Sequence, residues 1–330
     1  MPTLWFSYSN GGGTLDLDEP LMSPYTIYWH VGRFLRDKAA AMGYDFRYVN
    51  LDDTTPRTFE PDDIAIGHCW WSGGFMHQAL AASIKAKFVL QPYTHGMVAP
   101  GDTGMVIDLW ERATHLFLIT GQYWHITMKG SPYAALYDYS TRLDMAVNAQ
   151  RHHYYKAFWN KPDKRAFLCI GADTPTKGYR NVAELATQAG FRLGHYGNAQ
   201  PGTFDDVPQM TLHGGTLFTP DVVDRICRDY DAVIAMPALS GDANPTVLLE
   251  AAAWGLPVFC TKEAGYLPGK PFRELRLDDP AFNLAQVRAF QHESEYDLTA
   301  DSLVLRSEVE RKYNWQRFCS TLWQKVETFL

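Results

Sequence analysis

Five cysteines in 330 residues, at positions 69, 169, 227, 260 and 319, are too few and too scattered for a disulfide framework, and none stand at zinc-site spacing. A reducing cytoplasm is the simplest compartment for such a chain. No apolar run approaches membrane-spanning length. Met1 to Ser9 carries no basic region ahead of an apolar one, so no secretory signal is expected. Basic residues are also short: the formal net charge is -7, which argues against a general nucleic-acid coat or an adhesive for anionic membranes. No Gly-x-Gly-x-x-Gly opens a helix after the first strand, and no Gly-x-Ser-x-Gly or Cys/His nucleophile arrangement occurs. Short repeats and low-complexity segments are absent.

What remains is a well-furnished α/β chain. Apolar content of 46% with 20% charged residues describes a folded protein, and the length suits two domains with their own cores. Apolar runs alternate with helical patterns. Strands are expected at Leu4–Tyr8, Phe46–Asn50, Asp63–Cys69, Lys87–Gln91 and His115–Thr120, with helices at Tyr25–Met42, Gly74–Lys85 and Ile107–Ala113 between them. A polar, basic and aromatic stretch near 145–165 reads as a linker. A second series follows: strands Ala166–Gly171, Phe191–Tyr196 and Ala232–Met236, and helices Asn181–Gly190 and Pro220–Asp229. This alternation indicates parallel sheets with helices on both faces. The expected division is 1–150 and 151–330, with an amphipathic helix over 311–330 closing the chain.

Residues 242–266 are the most informative segment. Asn244 suits an N-cap and Pro245 a first helical position, where the missing N–H costs nothing. Thr246 to Trp254 reads as a helix stopped by Gly255 and Pro257, and Leu256 to Thr261 as a buried strand. The free amides of Thr246 and Val247 at the helix start can meet a phosphate. Glu250, one turn deeper on the same face, can accept from two ribose hydroxyls. Asp242 stands eight positions before Glu250 and can hydrogen-bond a sugar.

The segment Asn244-Pro-Thr-Val-Leu-Leu-Glu-Ala251, followed by Gly255-Leu-Pro-Val258, resembles the signature of the retaining GT-B glycosyltransferases (family 4, group 1). In that family two acidic residues are separated by seven others. The resemblance implies a GT-B fold, two Rossmann-like domains whose parallel sheets face a central cleft. The N-terminal domain would serve the acceptor and the C-terminal one the nucleotide sugar. The final helix, with Asn314-Trp315, is similar to one that in family members commonly packs back on the first domain. The sequence departs from the pattern in carrying Asp242 where Glu is usual, which shortens that carboxylate's reach.

Further matches follow from the same resemblance. Lys177-Gly178, after the strand ending at Gly171, stands where the family binds the donor diphosphate; Ala172 replaces the usual arginine, with Arg180 nearby in sequence. Gly12 and Gly13, within Gly11–Gly13, match the Gly-rich loop of the N-terminal domain, where a bare backbone approaches donor or acceptor. His95 resembles a histidine placed near the donor sugar, with His68 as its rival.

The expected activity is metal-independent transfer, with retention, of a sugar from a nucleotide diphosphate of the UDP or GDP type to a hydroxyl acceptor. A glycan or polysaccharide precursor is favoured as acceptor. Asp242, Glu250 and His95 are the candidate catalytic residues. Gly12, Gly13, Lys177, Gly178, Asn244, Thr246, Val247 and Glu250 are the candidate donor-binding residues, and no other cofactor is expected. The alternatives are a phage-type transferase acting on modified DNA bases, a nucleotide-sugar 2-epimerase and a non-catalytic sugar-nucleotide binder. A basic groove of Arg142, Arg151, Lys156, Lys161 and Arg165 would favour nucleic acid.

Overall fold

The structure is a computed structural model of the chain. It describes all residues except 10–16, 19–25, 71–72, 93–97, 148–155, 157–164, 216–218, 239–244 and 265–271. The chain divides into two compact units. One holds Met1–Thr120, His125–Leu143 and Trp315–Leu330, the other Gly121–Trp124 and Asp144–Asn314. Among the described residues no helix is long and apolar enough to cross a membrane.

The first unit is built on a six-stranded, all-parallel sheet. Its strands are β1 (Thr3–Tyr8), β2 (Asp45–Asn50), β3 (Ile64–Gly67), β4 (Ala86–Gln91), β5 (His115–Ile119) and β6 (Ser140–Leu143), ordered β2-β1-β3-β4-β5-β6. The four inner strands are buried on both faces, as expected where helices cover both sides of a parallel sheet. Helix α1 (Thr26–Met42) joins β1 to β2, and α2 (Phe75–Ala81) joins β3 to β4. Helix α3 (Thr103–Trp110) leads into β5, and α4 (Gln122–Thr127) and α5 (Ala134–Tyr137) follow it. Trp5, Ala65, Val89, Leu116 and Leu118 form one core face with Phe75, Met76, Val106 and Trp110 of α2 and α3.

The second unit repeats the plan with β7 (Ala166–Ile170), β8 (Arg192–Tyr196), β9 (Met210–Gly214), β10 (Ala232–Ala235), β11 (Val258–Thr261) and β12 (Phe272–Leu275). The order is β12-β11-β10-β7-β8-β9, again parallel throughout. Its helices are α6 (Tyr179–Ala189), α7 (Pro220–Asp229), α8 (Thr246–Ala253), α9 (Pro280–Gln291) and α10 (Glu295–Lys312). Phe167, Phe191, Phe259 and Phe290 make a ring cluster with centroid separations of 4.4–5.4 Å. All five cysteines are free and buried. The chain closes with α11 (Trp315–Glu327), which lies on α1 in the first unit. There Trp315 stacks on His30 at 4.6 Å and Trp323 meets Phe34 edge-on at 6.3 Å.

Several short elements escape the sequence pattern. The stretch after β8 reads as merely polar, yet Met210–Gly214 pairs with β8 as the exposed edge strand β9. Strands β6 and β12 have four residues each, too few for a period of two to show. The closing helix expected over 311–330 is two: α10 ends at Lys312 and α11 begins at Trp315.

The basic linker also differs from its reading. Met145, Ala146 and Val147 are buried, and so are Lys156 and Arg165. The Lys156 ammonium lies 3.0 Å from the Asp231 carboxylate, both side chains 1% exposed. It also donates to the Cys227 carbonyl at 2.8 Å. Arg165 donates from Nε to the Phe290 carbonyl at 3.1 Å. Both cations are consumed inside the protein, because a buried charge must be paired. Neither can line a groove for nucleic acid. Arg151 and Lys161 lie outside the described residues, and Arg142 is half-buried.

Candidate functional site

In the second unit the strand order reverses between β7 and β10. Successive connections run outward from β7 through β8 to β9, then return to β10 beside β7 and run the other way. Such a switch point leaves a crevice beyond the carboxyl ends of the two strands, because the following chain segments diverge to opposite faces. Two candidate segments flank it. The Lys177-Gly178 turn follows β7, and the N-terminus of α8 follows β10.

The turn is braced from several sides. Gly171 has φ 111° and Gly178 has φ 65°, both in the left-handed region that glycine adopts without strain. The His195 imidazole donates from Nε2 to the Gly171 carbonyl at 2.8 Å. Burial above all depresses the His195 pKa, so a neutral ring carries its proton on the nitrogen facing that oxygen. The Tyr179 hydroxyl donates to the Ile170 carbonyl, and the Gly171 amide donates to the Tyr196 carbonyl at 2.8 Å. The Lys177 stem passes over Gly171, with Cε 3.3 Å from where a β-carbon would stand. Nothing in the sequence alone singles out His195 or Tyr179. Their only signal is placement, at the end of a strand and at a helix start.

Helix α8 starts at Thr246, with Pro245 extended at φ -65° and ψ 122° as its N-cap. The start at Thr246 is the expected one, but the N-cap is Pro245 where Asn244 was expected. Asn244 itself lies outside the described residues. Leu248, Leu249, Ala251, Ala252 and Ala253 are buried, leaving Thr246, Val247 and Glu250 as the helix residues that reach the surface. Spacings of three and four place the carboxylate below the two leading amides. Those amides have no intrahelical partner, as at any helix start.

Glu250 is held by its surroundings in an unusual state. No described residue donates a hydrogen bond to its carboxylate, and burial alone pushes its pKa up to about 7. Among the described residues it lacks the donors that would stabilise its charge. A ligand with two hydroxyls would supply them.

Of the other candidates, Gly12, Gly13, His95 and Asp242 lie outside the described residues. His68 follows β3 at the first unit's own switch point, between β1 and β3. Its amide donates to the Ser7 carbonyl at 2.9 Å, and burial drives its pKa down to about 3, so the ring is neutral. On the neighbouring strand ends Ser7, Gln91 and Thr120 are each 0% exposed. Among the described residues the two hydroxyls and both polar atoms of the Gln91 amide have no hydrogen-bond partner. Asp16-Leu17-Asp18 is an Asp-x-Asp motif, the pattern of metal-dependent transferases. Asp16 is outside the described residues, and Asp18 pairs with Arg36 at 2.9 Å.

The sequence matches no protein-family model and no curated protein. Solved structures do match. HepE from Anabaena, in complex with UDP and glucose, superposes with a TM-score of 0.65 over 99% of this chain and 100% of that one, at 9% identity. The lipopolysaccharide outer core galactosyltransferase WaaB, in its apo form, gives 0.64 over 98% and 99% at 12% identity. An α-glucosyltransferase in complex with UDP and a 13-mer DNA containing a HMU base gives 0.54 over 99% and 100% at 10% identity. With two parallel six-stranded sheets and these neighbours, the fold is GT-B.

Proposed function

We propose that the chain is a retaining glycosyltransferase that moves a sugar from a nucleoside diphosphate to a hydroxyl acceptor, without an obligatory metal. The observation that carries this reading is the pairing at the β7/β10 switch point. A lysine-bearing turn stands on one side, and a helix start with a donor-starved carboxylate one turn inside stands on the other. Solved neighbours with this fold hold UDP in their complexes, which supports a donor of the UDP or GDP type.

In this reading Lys177 and the Thr246 and Val247 amides receive the diphosphate, the lysine as a mobile point charge and the amides as fixed dipoles. Glu250 accepts from the ribose hydroxyls. Asp242, in the segment leading into α8, contacts the transferred sugar, and His95, from the first half of the sequence, does the same. Gly12 and Gly13 leave room for backbone to near the diphosphate. Retention follows from attack on the face the phosphate leaves. The bond from anomeric carbon to phosphate oxygen breaks, the bond to acceptor oxygen forms on the same side, and the departing phosphate takes the acceptor's proton. Catalysis then rests on stabilising the leaving charge and on orientation. A glycan or polysaccharide precursor is the favoured acceptor. The burial of Lys156 and Arg165 counts against the DNA alternative.

The test is a thermal-shift screen of UDP- and GDP-sugars, because a ligand bound only by the folded state raises the melting temperature. A positive donor is then assayed for hydrolysis or transfer with Lys177→Met and Glu250→Ala. Lys177→Met is expected to keep the melting temperature of the free protein, Glu250→Ala to be no less stable than the parent at neutral pH, and both to lose at least about tenfold in kcat/KM. A Glu250→Ala enzyme with full activity would overturn the assignment. Donor binding without turnover across a panel of acceptors would favour a non-catalytic binder, and a C2-inverted free sugar nucleotide an epimerase.

A further inference from the structure

Position 172 brings no cation to the β7/β10 switch point, since an alanine stands there. Arg180, the next arginine along the chain, is turned elsewhere. Its Nη1 donates to the Gly202 carbonyl at 3.3 Å, and its Nε stands 3.9 Å from the Glu184 carboxylate with the side chain 67% exposed. It lines a groove with Ala183, Thr187 and Asp206, to which no candidate donor-binding residue contributes.

The backbone offers a donor in its place. Beyond β7 the chain stays tied to the segment beyond β8 at alternate residues. The Gly171 amide donates to the Tyr196 carbonyl at 2.8 Å and the Asp173 amide to the Asn198 carbonyl at 2.9 Å. The Asp173 carboxylate also accepts from the Gln200 amide at 2.9 Å. The Gly171 carbonyl faces the same way: His195 donates to it at 2.8 Å, and a β-carbon on Gly197 would stand 2.1 Å from its oxygen. In a trans peptide the N–H points opposite to the C=O. The Ala172 amide is therefore directed away from β8, toward the side on which β10 pairs with β7. Ala172 is exposed, and its N–H has no hydrogen-bond partner among the described residues. The Lys177 stem passes beside the same peptide, over Gly171.

His195 has one polar task. It is 0% exposed, its Nδ1 has no hydrogen-bond partner among the described residues, and its ring packs on Tyr179 and Phe204 at 5.3 and 5.2 Å. For packing alone an apolar side chain of similar size would serve at less cost, because it buries no unsatisfied nitrogen. The single bond the imidazole makes fixes the peptide whose N–H enters the crevice. We propose that His195 is a positioning residue for the donor site, holding the Gly171–Ala172 peptide so that the Ala172 amide, beside Lys177, donates to the diphosphate. The proposal rests on the sugar-nucleotide reading of the switch point. A fixed N–H aimed at the departing phosphate stabilises its charge without having to reorganise.

Titrations of the full chain with UDP and with uridine test it, since only UDP carries phosphates. If the parent takes GDP instead, GDP and guanosine replace them. His195→Met removes the N–H that holds the peptide. It should weaken UDP binding at least about tenfold, as expected for one hydrogen bond to a charged group, and leave uridine binding unchanged. His195→Gln, whose amide nitrogen can stand where the imidazole Nε2 does, should restore most of the UDP affinity. Ala172→lactic acid turns the amide into an ester, keeps the side chain and removes the N–H; it should reproduce the loss. A merely structural role for His195 would weaken UDP and uridine alike. That result, no rescue by His195→Gln, or parental UDP affinity in either His195→Met or the ester would overturn the proposal. Should His195→Met not fold, the ester decides alone. A parent that binds neither UDP nor GDP would overturn the sugar-nucleotide reading, and this proposal with it.

Discussion

A β-carbon built on Gly178 would stand 1.9 Å from the carbonyl oxygen of Met236. The turn after β7 thus rests directly on the backbone that leaves β10, which brings the two halves of the candidate donor site together. Only a residue without a side chain permits that contact, and φ of 65° excludes most others independently. Gly178→Ala is expected to cost about 2–5 kcal/mol, the sum of a left-handed backbone penalty and overpacking against a rigid carbonyl. Chemical denaturation measures the loss. A variant as stable as the parent would mean the contact is looser than described.

Glu250 makes stability depend on pH with a definite sign. Its folded pKa of about 7 lies above the ordinary 4.5, so between those values the folded chain keeps a proton that the unfolded chain has released. The free protein is therefore most stable with respect to this group below pH 4.5. It loses on the order of 3 kcal/mol as pH rises through about 7. Glu250→Gln should remove that part of the slope in melting curves from about pH 5 to about pH 8. If ribose hydroxyls donate to the carboxylate, nucleotide binding at about pH 6 also releases a proton. Calorimetry in buffers of different ionisation enthalpy detects this release, and Glu250→Gln abolishes it.

Gln91 is enclosed without a partner among the described residues, with neither its amide nitrogen nor its oxygen hydrogen-bonded to any of them. Gln91→Met, similar in shape and apolar, is expected to raise stability by about 1–3 kcal/mol by removing that desolvation cost. Denaturant midpoints compare the two proteins. A destabilised variant would show that the amide is solvated or bonded in solution.

The Lys156–Asp231 pair is an ion pair buried within the second unit. Lys156→Met leaves the Asp231 carboxylate buried without its cation, though still accepting from the Ala166 amide at 2.9 Å. The change should cost about 3–5 kcal/mol. Adding Asp231→Asn neutralises the stranded charge and keeps an acceptor for Ala166, so the double variant should unfold later than the single one. Equal midpoints for the two would remove the ion pair as the reason.

Much of the scaffold was legible because it is encoded locally. Buried runs such as Ala166–Ile170 and the stop at Gly255 mark parallel strands and their connections whatever lies around them. Pro220–Asp229 is bounded correctly by its proline and final turn alone. Short edge elements were not legible. β9 (Met210–Gly214) is largely exposed, with no run of buried apolar residues, and it is a strand only because β8 offers it hydrogen-bonding partners. The linker's cations read as candidates for a basic groove for the same reason: nothing near Lys156 in sequence announces Asp231. The helix starts at Thr246 as the sequence suggests, but its cap is Pro245 and not Asn244, because Pro245 fits both the residue before a helix and the first one in it.

By itself the sequence determined the alternation of strand and helix, and with it a parallel α/β architecture, since burial on both faces of a strand requires its continuous apolar run. It also placed an acid one turn inside a helix start. Strand order was decided only in three dimensions, because neighbours in a sheet are chosen by packing among distant segments. That order sets Lys177 and Thr246 on the two sides of one switch point. Only the assembled protein could raise the Glu250 pKa, since desolvation is a property of everything packed around a group and of nothing beside it in the chain.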